Sequence, residues 1–159
     1  MDYGSSMSRE EIESVRLYFL RDQVGLIPSE QYPDVAADLL VDGYDSPSLR
    51  ELAGHPRNDP RGAGDLWVQV REELGKPFED DRDVRRTLVR HWLQQIVDGI
   101  LEPYIGTNLV LGQAWHELGQ PMELNYLVAL RDDWDDMPQS REDICSKIVD
   151  AAHEVLIDW

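Results

Sequence analysis

Val84-Arg85-Arg86-Thr87-Leu88-Val89-Arg90-His91-Trp92-Leu93-Gln94-Gln95-Ile96-Val97-Asp98-Gly99 is the stretch on which the fold turns. Val84, Leu88, Trp92 and Ile96 recur every fourth residue, the spacing of one helical face. Asp98-Gly99, taken alone, signals a two-residue β-hairpin. Its flanks keep helical spacing, however, and Pro103 follows the glycine by four residues. Gly99 therefore reads as a helix stop in which a left-handed residue satisfies the last carbonyls. Val41-Asp42-Gly43, with Pro47 four residues on, repeats the arrangement.

The same punctuation extends in both directions. Upstream, Asp59-Pro60 opens a helix carrying Ala63, Leu66, Trp67, Val70 and Leu74, stopped by Gly75. Its Gly62 and Gly64 loosen the first turn, at about 1 kcal/mol of propensity each. Ser46-Pro47 is an N-cap and first helical residue before Leu49, Leu52 and Ala53, with Gly54 as the stop. Pro33 starts a helix with Val35, Leu39 and Leu40, ended by Gly43. Ser8-Arg9-Glu10-Glu11 forms a capping box ahead of Ile12, Val15, Phe19 and Leu20, and Gly25 closes that helix. Downstream, a helix runs from Pro103 to Leu118 and stops at Gly119; another holds Leu124, Leu127, Val128, Leu130 and Trp134 and ends at Pro138. Ser140-Arg141-Glu142-Asp143 opens the last, with Ile144, Ile148, Ala152 and Val155. No stretch alternates as a strand does. The expectation is an all-α fold: a compact bundle or short αα-hairpin array of seven or eight helices, forming one domain over 8–159 behind a disordered tail, 1–7.

Glu73-Leu74-Gly75-Lys76-Pro77 returns as Glu117-Leu118-Gly119-Gln120-Pro121, forty-four residues later. The Val-Asp-Gly…Pro echo is offset by fifty-six instead, so no one period superposes both. Shared helix-turn chemistry explains the echoes more simply than duplication does.

The 159 residues hold 32 acidic and 15 basic side chains, a formal charge of −17. Small domains more often carry about 2–8 charges of either sign. Unaided binding to nucleic acid or to an anionic membrane is excluded, since both need a basic face. One cysteine, Cys145, rules out an internal disulfide and a zinc site of several thiolates. No apolar run approaches the ~18 residues of a membrane span, and the polar start Met1–Ser6 lacks signal-peptide order. A cytoplasmic protein is expected.

Asp132-Asp133-Trp134-Asp135-Asp136 is the strongest local oddity. On a helix, Asp132, Asp133 and Asp136 lie within one turn of each other. Hard cations such as Mg²⁺ take this kind of oxygen donor, completed by waters and substrate phosphates. The five residues resemble the D-D-x-x-D motif of prenyl-diphosphate and terpene synthases, which are about twice this length and use a second motif not found here. Small all-α nucleotide pyrophosphohydrolases carry E-x-x-E and E-x-x-D pairs; Glu10/Glu13 and Asp80/Asp83 have the internal spacing, but they sit at helix starts, where acids belong anyway. The other reading of the Asp cluster is an acidic helix end. Acids there oppose the macrodipole and repel one another, and a basic partner surface relieves both.

The remaining chemistry-bearing residues form no constellation. His55, His91, His116 and His153 have no metal-binding spacing, and Cys145 is expected buried or half-buried on the last helix. Trp67, Trp92, Trp115 and Trp134 fall in phase with apolar stripes; Trp159 is the one expected at the surface. Arg82, Arg85, Arg86 and Arg90 are expected to pair with Asp80, Asp81 and Asp83.

Gly43-Tyr44-Asp45-Ser46-Pro47-Ser48-Leu49-Arg50-Glu51-Leu52-Ala53-Gly54 resembles a stretch common to small acidic helical proteins of unassigned function from high-GC Gram-positive bacteria. Asp59-Pro60, Glu73-Leu74-Gly75 and Gly99-Ile100-Leu101-Glu102-Pro103 stand where that group has similar segments. The resemblance implies an all-α bacterial cytoplasmic protein and transfers no catalytic residue.

The functional expectation is a non-enzymatic acidic protein that binds a basic protein through Asp132, Asp133, Asp135, Asp136 and Trp134. An immunity or inhibitor protein covering the positive site of a toxin is its concrete form. The alternative is an Mg²⁺-dependent hydrolase or lyase acting on a phosphate or diphosphate through Asp132, Asp133 and Asp136. A DNA-mimicking acidic protein is a third, weaker possibility.

Overall fold

The computed structural model describes the backbone from Arg9 to Trp159 and side chains from Val15 onward. The Ser8 capping box and the tail 1–7 lie outside the described residues. Eight α-helices and no strand occur among those described. They fall into two compact units that meet in sequence at Glu79 and Asp80.

The first unit holds α1 (Arg9–Gln23), α2 (Tyr32–Val41), α3 (Pro47–Ala53) and α4 (Pro60–Glu73), with a 3₁₀ turn at Ser29–Gln31. α2 packs on α3, and α3 on α4. Val15 and Phe19 of α1, Ala36 and Leu39 of α2, Leu49 and Leu52 of α3, and Ala63, Trp67 and Val70 of α4 form one buried cluster. The predicted starts are made as the residue types dictate. The Ser46 hydroxyl accepts from the Leu49 amide at 3.2 Å, and Asp59 accepts from the Gly62 amide at 3.1 Å.

The second unit holds α5 (Asp81–Val97), α6 (Pro103–Ala114), α7 (Asn125–Asp136) and α8 (Arg141–Asp158). Short 3₁₀ turns at Met122–Leu124 and Pro138–Ser140 precede α7 and α8. α5 packs against α6 and α8, and α8 against α7. Val84, Leu88, Trp92 and Ile96 are buried, as their spacing predicts. Glu102 supplies a cap absent from the sequence reading: its two carboxylate oxygens accept from the Tyr104 and Ile105 amides at 3.1 and 2.8 Å. Opposite that helix start, α6 ends at Ala114, four residues short of the predicted Leu118, and Trp115–Gly119 is turn.

The echoed turns share a mechanism. Gly75 and Gly119 have φ of 65° and 75°, and the next amide in each returns to a carbonyl five residues back, Lys76 to Arg71 at 2.8 Å and Gln120 to Trp115 at 2.7 Å. That is the helix-terminating bond a left-handed residue permits. Yet Gly75 ends α4 near the close of the first unit, whereas Gly119 lies mid-way through the second. Gln120 is itself left-handed, at φ 56°. The two places are not equivalent, which favours common turn chemistry. Gly54 departs from the prediction: at φ −98° it stays outside the left-handed region, and the Gly54 and His55 amides reach only three residues back.

α3 and α4 are also tied by a charge. Glu73 Oε1 accepts from the Ser48 amide at 3.0 Å; the Ser48 hydroxyl first, and then this amide, hold the Glu73 carboxyl below its ordinary value of 4.5. A carboxyl depressed on folding adds stability above its unfolded pKa and loses it as pH falls through the folded one. Glu73→Gln should therefore be less resistant to urea than wild type at pH 7. The difference should shrink as pH is lowered below 4.5 and through the depressed folded value. A gap in urea midpoints that stays constant with pH would exclude the contact.

Candidate functional site

α7 ends as the sequence predicts, in an acidic turn. Asp132, Asp135 and Asp136 are exposed, and Asp133 is half-buried. No basic residue occupies the last turn of α7. Among the described residues, the ion pairs within 4 Å engage other carboxylates: Lys147 pairs with Asp143 at 3.0 Å, with Asp133 adding to the field that raises the Lys147 pKa. Trp134 lies beneath this rim. Its ring stacks on Tyr104 at 4.3 Å and 6°, and the Arg141 guanidinium sits 4.9 Å from its centroid. Arg141 also donates to the Trp134 carbonyl at 3.2 Å, which ties the start of α8 to the end of α7. Trp134 thus holds the rim in place while the aspartates face outward.

No three His, Cys, Asp or Glu side chains among the described residues are grouped as a metal ion needs. Asp132, Asp133 and Asp136 are thus not gathered into such a group. Asp80, of the second pair considered, is an N-cap: its carboxylate accepts from the Asp83 amide at 3.3 Å. Glu10 and Glu13 lie outside the described side chains.

The arginine-rich face of α5 does more than pair within its helix. Arg85 bonds Asp81 at 2.8 Å, as predicted, but also donates to the Gln113 carbonyl. Arg86 lies 4.2 Å from the Trp159 ring centroid, and Arg90 donates to the Trp159 main-chain oxygen. The Trp159 indole donates in turn to the Arg86 carbonyl at 2.8 Å. Trp159, expected at the surface, is 8% exposed. Cys145 is half-buried, with its sulfur 3.7 Å from Glu102; burial, then that carboxylate, pushes its thiol pKa up. Both effects oppose a nucleophilic thiolate.

A buried polar group centred on Asp22, which no sequence motif marks, lies among the described residues. In the first unit, Asp22 accepts from the Tyr32 hydroxyl at 2.5 Å, the Trp67 indole at 2.8 Å and Arg71 Nη1 at 3.3 Å. The Asp22 and Arg71 side chains are 6% and 4% exposed. Arg71 also donates to the Phe19 and Pro77 carbonyls and lies 4.2 Å from the Phe78 ring centroid; its Nε has no partner. Tyr32 and Phe19 both stack on Trp67, at 4.9 and 5.2 Å. Burial, then the bond to Asp22, drives the Tyr32 pKa well above its ordinary value, while burial lowers that of Arg71. The carboxylate accepts from three donors and the phenol is held protonated, so the group ties α1, α2 and α4 together. Its signal in the sequence is Arg71 itself, four residues after Trp67 on an otherwise apolar stripe.

No family model, curated protein or solved structure matches this chain.

Proposed function

We propose that the chain is a non-enzymatic acidic interaction protein whose partner is a basic protein. The observation that carries this reading is the acidic end of α7, where Asp132, Asp135 and Asp136 are exposed, α7 has no basic residue in its own last turn, and Arg141 of α8 bonds the Trp134 carbonyl and, among the described residues, no aspartate within 4 Å. Each acid there opposes the helix dipole by roughly 0.3–1 kcal/mol at low salt, and their mutual repulsion adds to this. A basic surface laid over the turn removes both costs, and complementary charge speeds encounter and suppresses acidic competitors. An inhibitor or immunity protein that covers the cationic site of a toxin is the concrete form.

Asp132→Asn/Asp136→Asn should raise the melting temperature of the isolated chain in low salt. At roughly 2–4 °C per kcal/mol, a gain of a few degrees is expected, shrinking in 0.5 M NaCl. The same variant should retain less of the basic protein that the immobilised wild type captures from extract and releases with salt. A captured partner of acidic character would overturn the proposal. So would a rise in melting temperature specific to Mg²⁺ or Mn²⁺ at constant ionic strength that the variant lacks.

A further inference from the structure

The other end of the α7–α8 hairpin carries an apolar groove with a charged rim. Leu127 of α7 and Ala151 and Val155 of α8 form its floor, and Tyr126, 53% exposed, is one wall. The space is about 320 Å³, several times the roughly 30 Å³ share of one water in the liquid. Glu123, Glu154 and Asp158 edge it, and no cation lines it. Met122, next to Glu123 in sequence, is a large apolar side chain 80% exposed.

From this we infer that the groove receives an amphipathic helix of the basic partner, an inference that rests on the proposed acidic interaction role. Two antiparallel helices with an apolar seam between them are completed by a third helix that inserts side chains at i, i+3 or i+4, and i+7. The rim selects the charge of that helix. Asp158 ends the last turn of α8, which holds no basic residue, and Glu154 lies one turn earlier, so their charges add to the negative pole of the helix. Asp143, Lys147, Asp150, Glu154 and Asp158 follow one another at steps of four, three, four and four, one face of α8. Lys147, the only cation in that series, is already paired with Asp143. A helix flanking its leucines or methionines with Lys or Arg meets this face. An acidic or neutral amphipathic helix leaves three rim carboxylates unpaired, and a second copy of this chain brings another −17 charges.

The test uses the full chain and two labelled peptides of about 16 residues, ~24 Å as helices. Both contain only leucine and lysine in equal proportion. One keeps leucine on a single helical face; the other has the order shuffled. In about 0.15 M salt, where the Debye length is about 8 Å, the amphipathic peptide should bind at least about tenfold more tightly by fluorescence anisotropy. Tyr126→Ala/Glu154→Lys, both at exposed positions, should weaken it by about tenfold or more with an unchanged circular dichroism spectrum. Asp132→Asn/Asp136→Asn, about 9–15 Å further along α7 at 1.5 Å per residue, should change it less than about threefold. Equal binding of the two peptides would overturn the groove and leave the acidic interaction reading intact. Undiminished binding to the Tyr126/Glu154 variant would do the same. Binding of neither peptide would remove the groove and count against that reading as well.

Discussion

Asp22→Ala is expected to cost about 3–5 kcal/mol of stability, the loss typical when one member of a buried ion pair is removed. The carboxylate serves three donors, Tyr32, Trp67 and Arg71. Its removal leaves a guanidinium that is buried and already has an unpartnered Nε. The intact pair need not be strongly stabilising, because burying both charges costs nearly what their attraction returns. The double variant Asp22→Leu/Arg71→Met, with no charge left to strand, should accordingly lose less than Asp22→Ala alone. Urea unfolding of the wild type, Asp22→Leu, Arg71→Met and the double measures this coupling. A loss under about 1 kcal/mol for Asp22→Ala would mean that water reaches Arg71, and the description of the pair as buried would fail.

Gly106→Ala is the second large expected effect. Most helical glycines gain stability when replaced by alanine, by up to about 1 kcal/mol. Gly106 sits where α6 crosses α5, and a Cβ there would lie 2.6 Å from Ile96 Cδ1, 2.7 Å from Ile96 Cγ1 and 3.0 Å from Leu101 Cδ2. Ile96 is 1% exposed and packed on every side, so it yields only by shifting its neighbours. Overpacking of this kind costs about 1–3 kcal/mol, and the net result should be destabilising. Ile96→Val removes Cδ1, and in combination should recover part of the loss. Thermal unfolding of the four proteins decides it; a more stable Gly106→Ala would disprove the close crossing.

These two sites differ in how far the sequence reveals them. Helix starts were legible because Ser46-Pro47 and Asp59-Pro60 act on amides three residues away. Gly75 and Gly99 were legible as stops for the same reason, since their chemistry is local. The Asp rim of α7 was legible because four acids in five residues need no fold to be seen. The Asp22 group was not, because its members are 10, 45 and 49 residues apart. α6 was drawn too long because Gly119 marks the end of a turn rather than of the helix. The groove escaped notice because Tyr126 and Glu154 meet only once α7 and α8 pair.

The aromatic stack has an optical consequence. Trp67 is the only tryptophan before Asp80, whereas Trp92, Trp115, Trp134 and Trp159 all follow it. With all four of those replaced by phenylalanine, every photon emitted on excitation at the red edge of the indole band would come from the first unit. Tyr32, nearly parallel to that indole at 8°, makes the same chromophore chiral in the near ultraviolet. The melting of one half of the chain can then be followed by colour alone, apart from the other.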